Sequence, residues 1–114
     1  MARRELNTNL SGILLSTDDI TALNGSAISA FNAVKYPKKI DFCLFFTRTA
    51  SNTSAIASFN NKCKQSIVNA QYYSLDNVPL KAIVDENGTL LVTDPYGNNI
   101  ISDFSAWVNG TIFL

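Results

Sequence analysis

The sequence predicts a single small α/β or α+β domain with a mixed sheet of four to five strands, two main helices and a short C-terminal helix. Three features predict it: a strand that is apolar on both faces, apolar residues at steps of three and four on either side of it, and an Asn-Gly turn between two later apolar runs. A chain of 114 residues has the size of one domain. We therefore expect one domain over residues 1–114, with a polar and basic N-terminal arm at residues 1–9 and a folded core at residues 10–114.

Residues 39–47 read K-I-D-F-C-L-F-F-T and predict the central strand. Side chains alternate between the two faces of an extended segment, so Phe42 and Leu44 point to one face and Cys43 and Phe45 to the other. A strand that is apolar on both faces needs a cover on both. We expect the two main helices to supply that cover.

The first main helix is predicted to begin after Ser16 or Thr17, because hydroxyl side chains cap helices and Asp18 and Asp19 would occupy the first turn. It would end before Pro37, and Asn24-Gly25 would interrupt it. Its apolar face is formed by Ile20, Leu23, Ala27, Phe31 and Val34. The second main helix is predicted over residues 52–68, with Ile56, Phe59, Cys63 and Ile67 on its apolar face. A separate strand is predicted at residues 12–16. The central strand, the second helix and a strand at residues 70–75 would form a right-handed βαβ unit.

Asn87-Gly88 predicts a β-hairpin between residues 80–86 and 89–94. A two-residue loop would pair Val84 with Leu91 and Lys81 with Asp94. Phe104, Trp107 and Val108 then follow at the spacing of a short helix. The chain ends T-I-F-L, and this apolar end is expected to dock on its own sheet or on a neighbouring molecule.

Nine basic and nine acidic residues give zero net charge, and the sequence contains no histidine. Nucleic-acid binding depends on clustered Lys and Arg, so we predict no nucleic-acid partner. The lack of histidine excludes Ser-His-Asp and Cys-His catalysis and His-ligated metal sites. Asp41 has no second carboxylate at a suitable spacing, and Cys43 and Cys63 form no metal or redox motif. We therefore predict no catalytic residue, no metal and no cofactor; the two thiols are either buried or joined in a disulfide.

No apolar run approaches the roughly 18 residues of a membrane span. Polar residues follow Met1 to Arg4, where a signal peptide would carry an apolar run. We expect no membrane partner, no secretion through a signal peptide, and a location in the cytoplasm or in a virion.

The best-placed polar cluster is Arg48, Thr49, Ser51 and Asn52, between the central strand and the predicted second helix. The N-terminus of a helix attracts anions, and in α/β folds ligands bind beyond the carboxyl ends of strands. The cluster is therefore a candidate anion- or partner-binding loop. Capping of the helix is the alternative, because capping alone explains serine, threonine and asparagine at this position.

The predicted order of strand, helix, strand and helix, followed by Pro79, a hairpin at residues 80–94 and a last helix, resembles a thioredoxin-like domain. The resemblance implies a cis peptide bond before Pro79, close to the loop at residues 48–54. It also implies a position for the redox cysteines near residues 49–52, where this chain has none. The resemblance therefore implies a binding module without redox activity.

We predict a non-enzymatic structural or interaction subunit of a multimeric assembly, with a phage-type virion structural or accessory protein as a specific hypothesis. Zero net charge permits dense self-association, and protein partners are therefore expected. Aromatic, apolar and basic residues supply the candidate interface, because aromatics and arginine are enriched at interface centres. These candidates are Arg3, Arg4, Tyr72, Tyr73, Tyr96, Trp107, Ile112, Phe113 and Leu114. Core packing is the alternative use of the tyrosines and the tryptophan. The alternative function is a thioredoxin-like or other small-ligand-binding module.

Overall fold

The structure, a computed structural model, describes residues 12–49, 53–72 and 79–114. These residues form one antiparallel sheet of nine strands in the order β1-β3-β4-β9-β6-β7-β8-β5-β2, curled into a half-barrel. The strands are β1 (Ile13–Leu14), β2 (Ile20–Ala22), β3 (Ser26–Tyr36), β4 (Lys39–Arg48), β5 (Ala55–Phe59), β6 (Ser66–Tyr72), β7 (Pro79–Val84), β8 (Thr89–Thr93) and β9 (Phe104–Phe113). One 3-10 turn, Thr17–Asp19, lies between β1 and β2.

The α/β or α+β prediction is wrong, because the described residues contain no α-helix. The first predicted helix is β2, a turn and β3, and the second falls on β5, a loop and β6. The predicted C-terminal helix is part of β9. The resemblance to a thioredoxin-like domain fails for the same reason, since that fold needs helices on its sheet, and the sheet is antiparallel instead of mixed.

β-Bulges explain why two strands carry helix-like spacing. In β3 the register against β4 shifts between Ile28 and Ala30, so that Ile28 pairs with Phe46 and Phe31 with Leu44. The extra residue turns Ile28 and Phe31, three positions apart, to the same face. A second bulge shifts β5 against β8 between Ala55 and Ala57. Spacing of three, which normally indicates a helix, here results from one inserted residue in each strand.

β4 lies inside the sheet between β3 and β9, so the prediction of an interior strand at residues 39–47 is confirmed. The expected cover on both faces is wrong. The side chains that face into the half-barrel, on what we call the inner face, are buried, with Leu44 and Phe46 fully so. Cys43 and Phe45, on the opposite or outer face, are only half-buried. The curvature of the sheet covers one face of β4, and no helix in the described part of the chain covers the other.

The core fills the half-barrel with inner-face side chains from both ends of the sheet. Phe42 of β4 packs edge-on against Phe59 of β5 at 5.1 Å between ring centroids, and Phe46 packs edge-on against Phe104 at 5.3 Å. Because β4 and β5 are far apart in the strand order, the first contact spans the interior. The C-terminal end docks on its own sheet, with Ile112 paired with Ile40 and 1% exposed.

The β7–β8 hairpin forms where predicted, but its register differs by one residue. Val84 pairs with Leu90 and Ile83 with Leu91, because the loop holds three residues instead of two. The Asp85 amide donates to the Thr89 carbonyl at 3.0 Å, and Gly88 has a φ of 84°. This geometry fits a three-residue loop with glycine in the left-handed region. The shift places Leu90 and Val92, both fully buried, on the inner face.

Residues 12–25 connect the two ends of the sheet. β1 pairs with β3, whereas β2 pairs with β5. The turn after β2 has positive φ at Asn24 (53°) and Gly25 (80°), and it directs the chain into β3. The Asn24 side chain donates to the Thr53 hydroxyl at 2.8 Å and to the Ala55 carbonyl at 3.0 Å, which ties the turn to the β5 side. Consecutive strands β2 and β3 are therefore joined by a hairpin-type turn without pairing with each other.

Candidate functional site

The outer face of the sheet carries large apolar side chains that remain in contact with solvent. Ile67 of β6 is 85% exposed, Phe113 of β9 is 53% exposed and Trp107 of β9 is 41% exposed. Ile67 pairs with Ile83 of β7, which in turn pairs with Leu91 of β8, so an apolar row crosses three strands. Contiguous apolar surface of this kind is typical of binding sites.

A groove of about 620 Å³ crosses the outer face over β9, β6 and β7. Two rows of paired residues line it. One row contains Asn109, Asn69 and Lys81, and the other contains Trp107, Gln71 and Pro79. Ile67 and Pro95 also line the groove. Its volume lies within the range of small-molecule sites.

Trp107 is held in place by its neighbour on β4. Trp107 and Phe45 are paired residues, and their ring centroids lie 4.9 Å apart at an interplanar angle of 52°. An aromatic pair at this distance is favourable beyond its buried area. The indole therefore has one side packed against Phe45 and keeps 41% of its surface exposed.

The amide groups of the groove retain hydrogen-bonding capacity. The Asn69 amide donates to the Asn109 side-chain oxygen at 3.5 Å, which is the long limit for such a bond. Each amide offers two N–H donors and an oxygen with two lone pairs. The Gln71 side chain makes no hydrogen bond with the described residues. Most donors and acceptors of these three side chains are therefore open to solvent or ligand.

Arg48, the charged member of the predicted binding loop, points into the half-barrel and is 0% exposed. Its guanidinium donates to the carbonyl oxygens of Thr53 and Ile100, the latter at 3.0 Å, and lies 5.4 Å from the centroid of the Phe104 ring. Among the described residues, its Nε has no hydrogen-bond partner, and neither does the buried hydroxyl of Ser26, the residue paired with Arg48. Burial lowers the pKa of Arg48. The arginine joins the segments before β5 and before β9 across the end of the half-barrel.

The rest of that predicted loop is only partly described. Thr49 is exposed, whereas Ser51 and Asn52 lie outside the described residues. The strand that follows is β5, so the helix N-terminus on which the anion-binding hypothesis relied is absent. A bound anion or partner at this loop stays a prediction.

The predicted interface residues do not gather on one surface. Trp107 and Phe113 lie on the outer face, and Tyr96, 89% exposed, lies in the turn after β8. Ile112 is buried, and Leu114 and Tyr72 pack partly against the core. Arg3, Arg4 and Tyr73 lie outside the described residues.

A second unusual surface is the backbone edge of β3 that faces away from β4, between Ala27 and Asn32. We call it the open edge. β1 pairs only with Val34 and Lys35 of β3, so no described strand pairs with the open edge. Ile28 and Phe31 point to the inner face here but are only partly buried. The adjacent β4 residues Leu44 and Phe46 are fully buried on the same face.

Within the described ranges, no group of three or more metal-ligating side chains occurs, and no helix is long and apolar enough to cross a bilayer. Cys43 and Cys63 are free thiols. The Cys63 thiol donates to the Asp85 carbonyl at 3.1 Å. Burial and the negative charge of Asp85 raise the pKa of Cys63.

Sequence reasoning missed the amide residues of the groove. Asn69 and Gln71 alternate with the buried residues Val68 and Ala70, and Asn109 follows the buried Val108. Alternation of this kind indicates a strand with one solvent-facing side. The signal was present at residues 66–72, but the helix predicted over residues 52–68 overlapped it.

In comparisons with known proteins, no family model, no curated protein and no solved structure matches this chain.

Proposed function

We propose that this chain is a non-enzymatic interaction subunit of a multimeric assembly, and that copies join by pairing their open edges. The observation that carries the proposal is the incomplete burial of Ile28 and Phe31, which face the core and pair with β4 but have no described strand on their other side. A second copy would supply that strand. A virion is the specific setting that we propose for such an assembly.

The chemistry of the open edge supports pairing between copies. An unpaired strand edge presents backbone N–H and C=O groups that bind a further strand, and proteins usually protect such edges with lysine, proline or a β-bulge. The open edge reads A-I-S-A-F-N from Ala27 to Asn32 and contains neither lysine nor proline, and its bulge between Ile28 and Ala30 lies at the centre of the segment. Its outer-face side chains are small, with Ala27 and Ala30 among them. Another backbone can therefore approach closely.

A twofold arrangement of two copies satisfies the geometry of the edge. Two identical strands related by a twofold axis pair antiparallel, and each contributes the same surface. If the axis is perpendicular to the sheet, the inner faces of both copies lie on the same side. Ile28 and Phe31 of one copy would then contact the same residues of its partner, and the zero net charge adds no long-range repulsion.

Sedimentation velocity over a wide concentration range tests this proposal. The wild-type chain is expected to form dimers or larger species. The double variant Ala27→Lys with Asn32→Lys places charge at two exposed positions of the open edge and should sediment as a monomer. The matched control, Asn98→Lys with Ser102→Lys, adds the same charge at exposed positions away from this edge and should associate like the wild type.

Two results would overturn the proposal: a wild-type chain that remains monomeric at every concentration, or an edge variant that associates as strongly as the control. Far-ultraviolet circular dichroism of both variants verifies that the sheet is intact, so loss of association reports on the edge and not on unfolding.

A further inference from the structure

We infer that the groove over β9, β6 and β7 binds a neutral oligosaccharide. This inference is independent of the proposed assembly, because the groove lies on the outer face and the open edge lies on β3. It concerns binding alone: glycoside hydrolysis requires a pair of carboxylic acids, and no aspartate or glutamate is among the described residues that line the groove.

The shape of the groove favours an extended ligand. Its volume of about 620 Å³ spans three adjacent strands and is open to solvent. Strands in a sheet lie about 4.8 Å apart, so the polar groups of one row are spaced along a line across the sheet. A chain of linked sugar rings can contact several of these groups in succession, whereas a single small ion would contact one.

The polar lining matches hydroxyl groups. Asn69, Gln71 and Asn109 each combine N–H donors with a carbonyl acceptor, and a sugar hydroxyl is also both donor and acceptor. Charged ligands have little to bind, because Lys81 is the sole ionisable side chain among the described lining residues. One lysine gives no cluster for the phosphates of a nucleic acid.

Trp107 supplies the apolar platform that a sugar ring needs. The C–H groups on one face of a pyranose ring are weakly positive, and the face of an indole carries negative charge density. Trp107 is backed by Phe45 at 4.9 Å, so its orientation is fixed before a ligand arrives. A preorganised aromatic surface loses little entropy on binding.

The single tryptophan makes the inference directly testable, because Trp107 is the one tryptophan of the chain and lies in the groove. We would titrate the wild-type protein with maltohexaose, cellohexaose and chitohexaose and follow tryptophan fluorescence. At least one of these sugars should change the emission in a saturable manner. Isothermal titration calorimetry of the wild-type protein with that sugar should give the same affinity as the fluorescence titration.

Three variants locate the bound sugar by calorimetry. Trp107→Ala and the double variant Asn69→Ala with Gln71→Ala should each weaken binding by about tenfold or more, because aromatic and hydrogen-bonding contacts of this kind dominate small interfaces. Tyr96→Ala removes an aromatic side chain that is 89% exposed but outside the groove, and binding should be unchanged. The Ala27→Lys and Asn32→Lys edge variant should bind sugar like the wild type.

Several outcomes would overturn the inference. They are no fluorescence or heat change with any of the three sugars, unchanged binding in both groove variants, or preferential binding of an anionic polysaccharide that depends on Lys81. A change of sedimentation in Trp107→Ala without any sugar binding would instead identify the groove as a protein interface. If the edge variant fails to dissociate, the fluorescence and calorimetry of sugar binding are unaffected. The edge-pairing proposal and the sugar-binding inference can therefore fail separately.

Discussion

The inner and outer faces of β4 differ although both carry phenylalanine. Phe46 on the inner face is fully buried and packs edge-on against Phe104, whereas Phe45 on the outer face is half-buried against Trp107. One residue of offset separates a core side chain from a surface one. Apolar residues therefore identify a buried strand, but they do not show which of its two faces the rest of the fold buries. Among the described residues, nothing buries the apolar outer face of β4 as fully as its inner face.

The largest difference between the faces is expected from truncating the two phenylalanines. Phe46→Ala removes a fully buried ring, and we expect it to lower the free energy of unfolding by about 3–5 kcal/mol. Phe45→Ala should cost about 1 kcal/mol, because its ring lies on the outer face and is only half-buried. Urea denaturation of both variants measures the difference. Equal losses would show that the outer face is covered as thoroughly as the inner one.

The polar residues Arg48 and Thr47 lie on the inner and outer faces of β4, respectively. Arg48→Met keeps an apolar side chain of similar length but removes the donor to the buried carbonyl of Ile100 and the hydrogen bond to the Thr53 carbonyl. We expect a loss of about 1–3 kcal/mol, the cost of one unsatisfied buried acceptor. Thr47→Val on the outer face breaks only the 2.9 Å contact between the Thr47 and Ser105 hydroxyls and should cost less than about 0.5 kcal/mol.

Chemical denaturation with Arg48→Lys as a third variant separates charge from hydrogen bonding. Lysine keeps the positive charge but not the planar fork of donors, so it should be destabilised like Arg48→Met. If Arg48→Met is as stable as the wild type, relief of the buried charge outweighs the two lost hydrogen bonds, and Arg48 does not stabilise the end of the half-barrel.

On β9 the two faces differ in the space that they leave for a larger side chain. Gly110 pairs with Phe42, and an added Cβ would lie 2.7 Å from a methyl carbon of Val68. Gly110→Ala should therefore cost about 1–3 kcal/mol through overpacking. Asn109→Ala, one residue earlier on the outer face, should change stability by less than about 0.5 kcal/mol. Thermal unfolding of the two variants measures this contrast, and a stable Gly110→Ala would mean that β6 and β9 can separate at this point.

The sequence allowed β4 and the β7–β8 hairpin to be predicted, because alternation and Asn87-Gly88 are local signals. It did not allow the sheet to be predicted. The bulge in β5 places Ile56 and Phe59 three apart, as in a helix, whereas the helix-like spacing of Ala27, Phe31 and Val34 in β3 spans both faces of the sheet. The two Asn-Gly pairs show the same limit. Asn24-Gly25 forms a turn with two positive φ values between strands that do not pair, whereas Asn87-Gly88 belongs to a three-residue loop between strands that do. Tertiary pairing decides both outcomes.

Site prediction failed for a related reason. Arg48 was identified as a loop residue at a helix N-terminus, but it is the last residue of β4, and its position in the alternation turns it inward. The helical spacing predicts Trp107 on one face with Phe104 and Val108, with either an interface or core packing as its use. In β9 Trp107 lies on the face opposite to both residues and is 41% exposed. The amides of the groove come together only through the pairing of β6 with β9, in which Asn69 and Asn109 are 40 residues apart in sequence. No local pattern encodes that pairing.

The two cysteines also lie in different surroundings, and here the expected effect, on thiol reactivity, is the smallest. Cys43 lies on the outer face of β4, while Cys63 packs partly against the core after β5. Burial and the charge of Asp85 raise the pKa of Cys63 in the folded protein. The thiolate is the reactive form, so Cys63 should react with iodoacetamide more slowly in the folded protein than in the unfolded chain at the same pH.

The pH dependence of the alkylation of Cys63 shows the direction in which folding shifts its pKa. Because the folded pKa of Cys63 lies above its unfolded value, the contribution of this thiol to stability is fully present below the unfolded pKa. It is lost as the pH rises through the folded pKa. In the Cys43→Ser variant, where Cys63 is the single thiol, the alkylation profile of the folded protein should lie on the alkaline side of the profile in urea. A coincident or acid-shifted profile would show that the loop holding Cys63 opens to solvent faster than it is modified.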